Sequence, residues 1–346
     1  MIYNPIELAR IVGLLEAAAV TLEVDLVAAL SLRPIAAAVA LGKTAHAVWR
    51  IRKLQAAVIS AGIHYNQMEG NLPNRMQDLV GGTVHALAGL LANRLVALPL
   101  VGETRVAARP VSGWFATRTP DSLPALINGL VASQNQDRPV VRIEQVFGAA
   151  TRQFVVYLPG TQQWSPLTNR NPMDLGSDLQ AFAGAGRAGS ERAVALAMRQ
   201  AGIGKNPSDR VLFVGFSQGA LVGANLAATA KNYQVSGLVS LGGPINQVQL
   251  PRSVPVLALE HKSDPVPMLD MHLSQNGPSE QAPNQVTLSR HRETGPAHDL
   301  LNYRETAQNL DLQHSAAARR VIDAVMPQGG YTEGRWFELS REYGKA

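Results

Sequence analysis

Cysteine is absent from the 346 residues, which excludes structural disulfides, thiol catalysis and cysteine-rich zinc sites. Aromatic residues make up only 5%, and no basic run interleaves with them, so the charged and stacking surface of a nucleic-acid binder is missing. The net charge is a modest +5, with arginines and acids interspersed rather than blocked. That balance is compatible with peripheral contact with an anionic membrane surface and implies nothing stronger. No apolar run is long enough to span a bilayer, since residues 35–41 are too few and Asn93-Arg94 interrupts the stretch 84–101. Met1-Ile2-Tyr3-Asn4 has no basic lead-in, and Glu16, Glu23 and Asp25 break the run that follows. No cleavable secretory signal is expected, which leaves a cytoplasmic protein or one exported by another route.

The chain is nonetheless a folding one, because 46% apolar residues supply a large core for one or two domains. Its most informative stretch is Gly215-Phe216-Ser217-Gln218-Gly219. Val211 to Val214 before it reads as a buried parallel strand, and Ala220 to Ala228 after it as a tightly packed helix. A sharp strand-to-helix turn there lifts Ser217 clear as a nucleophile, and Gly215 and Gly219 let strand and helix approach closely.

A serine nucleophile needs an acid and a histidine from later strand ends. The next strands are read at Val235 to Leu241 and Val254 to Glu260, with Asp264 in the loop that follows; Asp270 and Glu260 are competing acids. Gln285 to Ser289 reads as the final strand, and Gly295-Pro296-Ala297-His298-Asp299-Leu300 as the opening of a helix. His298 is expected to be the base, with His291 the alternative nearer the strand. His46, His64 and His85 lie on helical segments and show no metal-ligand spacing. No cofactor or metal is called for.

Two backbone N–H groups must face the oxyanion that acyl transfer creates. Gln218 supplies one. The other is expected after the strand Phe154 to Leu158, where Pro159-Gly160 leads to Thr161, with Gln162 the alternative.

The pieces FVVYLPGT, GFSQGA, EHKSDPVP and AHDLLNY, in that order, resemble the α/β-hydrolase fold, and GFSQGA resembles the elbow of cutinase-like serine esterases and PE-PPE hydrolases of actinobacteria. The resemblance covers residues 105–326 and implies Ser217, Asp264 and His298 as nucleophile, acid and base. The chain departs from secreted cutinases, which usually carry disulfides, in having no cysteine.

Residues 1–100 have another character. Asn4 caps and Pro5 starts a helix whose Leu8, Ile11, Leu15, Ala18, Leu22 and Leu26 recur three and four apart, and two further apolar stripes follow until Pro99. A helical hairpin or bundle is expected, followed by the catalytic domain over 101–326 and a C-terminal tail over 327–346. Tyr65-Asn66-Gln67-Met68-Glu69 resembles the export signal of type VII secretion substrates, so secretion machinery or a helical partner is a conceivable contact. Gly184 to Gly189 matches a dinucleotide fingerprint, but no strand is read before it and an interhelical loop is expected. Only Gly242 to Ser253 separate the strand after the elbow helix from the acid-bearing strand, too few for a cap domain; any cover comes from Met268 to Asn284 or the N-terminal helices.

The sequence thus predicts a serine esterase acting on a small-molecule or lipid ester through an acyl-enzyme. The alternatives are a thioesterase or acyltransferase with the same triad, or an exported helical module that carries the fold as a binding scaffold.

Overall fold

The computed structural model describes residues 105–342, apart from 163–169, 175–176, 178–180, 182–187, 247, 263, 265, 268–283, 291–296 and 311–315. The expected N-terminal helices and the Tyr65–Glu69 signal lie outside the described residues, as do Asp270, His291 and all but Asn284 of the expected cover.

The architecture is α/β, with one mixed nine-stranded sheet between two layers of helices. Five strands run parallel and follow the chain across the sheet: β4 (Gln153–Leu158), β5 (Arg210–Phe216), β6 (Gln234–Leu241), β7 (Val256–His261) and β8 (Gln285–Arg290). The central ones, β4, β5 and β7, form where the sequence offers an almost unbroken apolar run, because a parallel strand covered on both faces has no polar side to show, whereas the edge strand β8, QVTLSR, has no buried residue. Val211, Phe213 and Leu238 point into one core layer with Phe154, Val156 and Leu158; Leu212, Val214 and Phe216 point into the other with Val155 and Tyr157. That strict alternation fixes register, since a slip of one residue would exchange the two layers.

The first layer is covered by α2 (Gly189–Gln200) and α3 (Gln218–Ala228), the second by α1 (Leu123–Gln134), α4 (Leu300–Gln308) and α5 (Ala316–Val325). α1 starts where Ser122 accepts from the Ala125 N–H and Pro124 presets the first turn. α3 is packed by Ala220, Gly223 and Ala224, small residues that let it lie close to β4, β5 and β6. Among the described residues no helix is long and apolar enough to cross a membrane.

The other half of the sheet is antiparallel and corrects the expected domain division. The segment separated as a tail over 327–346 contains β9 (Tyr331–Glu342), a twelve-residue strand lying between β1 (Arg105–Pro110) and β3 (Val140–Phe147), with the short β2 (Phe115–Thr117) also paired to it. Phe337, Leu339 and Arg341 of β9 are buried, so the boundary at 326 falls inside a single sheet. The physical reason is plain in the pattern: residues 332, 334, 337, 339 and 341 turn inward while most of the charged residues between them are less buried, which is the alternation of a strand. Beneath β2, Arg142 pairs with Glu144 and lies against the Phe115, Tyr157 and Trp336 rings, while Tyr157 donates to Glu144 at 2.9 Å. Burial raises the Glu144 carboxyl above its ordinary range despite Arg142, and burial together with Glu144 pushes the Tyr157 phenol well up. Of the fingerprint-like glycine run, Gly184 to Arg187 lie outside the described residues and Gly189 opens α2.

Candidate active site

The carboxyl ends of β4, β5 and β7 and the loop leading from β8 into α4 meet on one edge of the sheet, the edge where open α/β sheets place their ligands. β5 ends there in a forced turn. Ser217 has φ 54 and ψ −122, and among the described residues no other non-glycine has positive φ. Such a conformation costs about 1–3 kcal/mol and persists only when its surroundings hold it. They do: the Ser217 N–H donates to Leu241 O at 3.0 Å, and its carbonyl accepts from Ala220 N at 3.0 Å. The flanking glycines are required by contact. A Cβ at Gly215 would lie 2.5 Å from the Ala220 nitrogen, and one at Gly219 would run into the Leu158 carbonyl and stand 2.5 Å from Pro159 O.

The three expected side chains are brought into one line. His298 Nε2 lies 2.9 Å from Ser217 Oγ, and His298 Nδ1 lies 2.7 Å from Asp264 Oδ2. Asp264 is fully buried, with its other oxygen accepting from the Val266 N–H at 2.9 Å. A carboxylate can only accept, so His298 carries its proton on Nδ1 and presents Nε2 as a lone pair toward the serine hydroxyl. The Phe216 ring stacks on the imidazole with centroids 4.7 Å apart and holds its plane. Glu260 sits within β7 itself, four residues before the acid the imidazole bonds.

Behind this line stand residues that the sequence did not assign. Tyr303 donates to Asp264 Oδ2 at 2.7 Å and accepts from the His261 N–H at 3.2 Å. Burial and then the Asp264 carboxylate push its phenol far above the ordinary range, so it stays a neutral donor. The His261 ring stacks on Tyr303 at 4.0 Å and bridges Ala297 O at 2.7 Å and Thr306 Oγ1 at 2.8 Å. Because a carbonyl only accepts, His261 Nδ1 carries a proton and donates it to Ala297 O. It thereby ties down the peptide immediately before His298.

One expected oxyanion donor directly follows Ser217. Gln218 is the first residue of α3, so its N–H has no partner within the helix and sits at the positive end of the helix dipole. Across from it, Gly160 touches the elbow closely: a Cβ there would be 3.3 Å from the Ser217 Cβ. Of the two amides weighed after β4, that of Gln162 is committed to Met173 O at 2.9 Å. Thr161 lies buried beside it.

One dipeptide straps the segment after β4 to the start of α3. Met173 O takes the Gln162 N–H, and Asp174 O takes the Gln218 side-chain amide at 3.0 Å. Asp174 is held in turn by a bidentate bond from Arg341 of β9, at 2.5 and 2.9 Å, and Arg341 also donates to Ser177 Oγ at 2.6 Å. Arg341 and Asp174 are separated by 167 positions, so no local motif could have paired them. The signal that existed was the inward position of Arg341 in the alternating run Phe337, Leu339, Arg341.

Among the described residues no group of three or more His, Cys, Asp or Glu could hold a metal ion. The arrangement suits one kind of chemistry: the hydroxyl of a strained serine can pass its proton to an oriented imidazole. No family model, curated protein or solved structure matches the chain.

Proposed function

We propose that this protein is a serine hydrolase of the α/β-hydrolase type, a carboxylesterase resembling the cutinase-like and PE-PPE hydrolases. The observation that carries the reading is the unbroken line from Ser217 Oγ through His298 to Asp264, with links of 2.9 and 2.7 Å, at a serine whose backbone is held in a strained turn. Structural hydrogen bonding does not need a strained serine at its end, and strain of this sort concentrates where function requires it.

In the reaction, Ser217 Oγ attacks the ester carbonyl and forms a bond to its carbon as His298 Nε2 takes the hydroxyl proton. The carbonyl oxygen becomes an oxyanion facing the amides of Gln218 and Thr161, each worth a hundredfold or more in rate by comparison with other such donors. Collapse of this intermediate expels the alcohol, which receives the proton from His298 and leaves an acyl-Ser217 ester. Water then attacks that ester, with His298 again accepting a proton and returning it to Ser217 as the acid departs. Asp264 stays ionised throughout and stabilises the imidazolium. A thioester, or an alcohol in place of water, would use the same residues.

The test is hydrolysis of para-nitrophenyl esters of graded acyl length by the full chain, with Ser217→Ala as control. Turnover that survives Ser217→Ala would overturn the proposal.

A further inference from the structure

The line from Ser217 to Asp264 is complete without Tyr303, yet the Tyr303 phenol ends on the same carboxylate oxygen that the imidazole uses. Asp299 caps α4 by accepting from the Asn302 N–H, and Tyr303 follows one turn in, fully buried. Asp264 Oδ2 is therefore shared by two donors, His298 Nδ1 and Tyr303 Oη, each at 2.7 Å. The phenol has little freedom to leave. Its ring lies face to face with His261, and Gly242 abuts its hydroxyl so closely that a Cβ there would stand 2.8 Å away.

A buried tyrosine needs some acceptor, and a backbone carbonyl would have served. Sharing Oδ2 has a chemical consequence that a carbonyl partner would not. A second donor draws charge from the oxygen facing the imidazole and lowers the basicity of the carboxylate toward it. The imidazolium formed when His298 takes a proton is then stabilised less than it would be by an unshared carboxylate.

We propose that Tyr303 is a positioning residue for the Asp264–His298 pair, fixing the carboxylate plane and, by sharing Oδ2, moderating the hold of that carboxylate on the imidazolium. The inference deepens the hydrolase reading and rests on it for its catalytic meaning. The titratable and charged groups that face Tyr303 among the described residues are Asp264, Glu260 and His261 from β7 and the loop after it, and His298 from the loop before α4.

Tyr303→Phe in the full chain keeps the ring and removes only the donor. The His298 Nδ1 proton, assigned by its loss in His298→Gln, is expected to move downfield in the proton NMR spectrum as Oδ2 regains charge. The acid limb of kcat/KM is expected to shift to higher pH by roughly half a unit, a fraction of the effect of a full neighbouring charge. Replacing Tyr303 with 3-fluorotyrosine, a stronger donor of nearly the same shape, should move both readouts the opposite way, and it decides the matter alone if Tyr303→Phe does not fold. A resonance and an acid limb that stay in place in the folded variants would overturn the inference and leave Tyr303 as core filling. The resonance requires no turnover: a wild-type chain inert toward esters whose Nδ1 proton still responds to Tyr303 would sink the hydrolase reading and leave the positioning role standing.

Discussion

Arg341→Met separates the account of the strap from a view of β9 as mere sheet edge. Arg341 and Asp174 side chains are 2% and 4% exposed, so the substitution leaves a carboxylate buried without its partner. Breaking such a pair from one side costs about 3–5 kcal/mol, a large part of a typical total of roughly 5–15. The double variant Arg341→Met/Asp174→Leu removes both charges and should recover most of that loss, because a buried pair replaced by apolar groups is often close to neutral. Activity should not recover in parallel. Without Asp174 and its neighbour Met173 held in place, Gln162 and Gln218 lose their common anchor, and a displacement of about 1 Å at a reacting centre can cost roughly a hundredfold. On the proposed mechanism the loss should appear in kcat rather than KM, since the backbone amides of Gln218 and Thr161, next to these anchored groups, would act on charge that develops only in the transition state. Urea unfolding and steady-state ester hydrolysis measure the two effects. A single variant within about 0.5 kcal/mol of wild type and within twofold in kcat would refute the reasoning.

Two further outcomes follow from the same structure. Tyr157 and Tyr303 both have phenols raised above the ordinary value of about 10, so as pH climbs past 10 the unfolded chain loses these protons first and stability falls, by about 1.4 kcal/mol per pH unit for each phenol. Urea unfolding between pH 9 and 11 should therefore show a shallower decline for Tyr303→Phe than for wild type, and equal slopes would show that the phenol is not protected. With so short a connection over Gly242 to Ser253, the site should hydrolyse dissolved short-to-medium acyl esters with ordinary saturation; negligible rates below the solubility limit and a sharp rise above it would instead indicate a lidded lipase.

Much of the parallel half was legible because its strands are buried on both faces, which makes Val211 to Val214 and Phe154 to Leu158 stand out as apolar runs. The elbow was legible for a different reason, since the close approach of β5, α3 and the Leu158–Pro159 backbone admits only glycine at 215 and 219. β9 was not legible: the pair Gly329-Gly330 directly before it is a local breaker, and a strand with Arg335, Glu338 and Arg341 among its residues carries too much charge to declare itself. Tyr303 lay inside a quoted motif, yet its partner is 39 positions away and only the packing of α4 against β7 brings them together. Asp174 had no signal at all in its own neighbourhood, because its role comes from a strand at the far end of the chain.

The most direct measurement of the central claim is reaction of the full chain with a fluorophosphonate, followed by intact mass and peptide mapping. The account predicts one adduct per chain, on Ser217, with labelling abolished by Ser217→Ala and ester hydrolysis reduced up to about a millionfold by either Ser217→Ala or His298→Ala in folded protein. An adduct at another residue, or undiminished hydrolysis by folded Ser217→Ala, would contradict it.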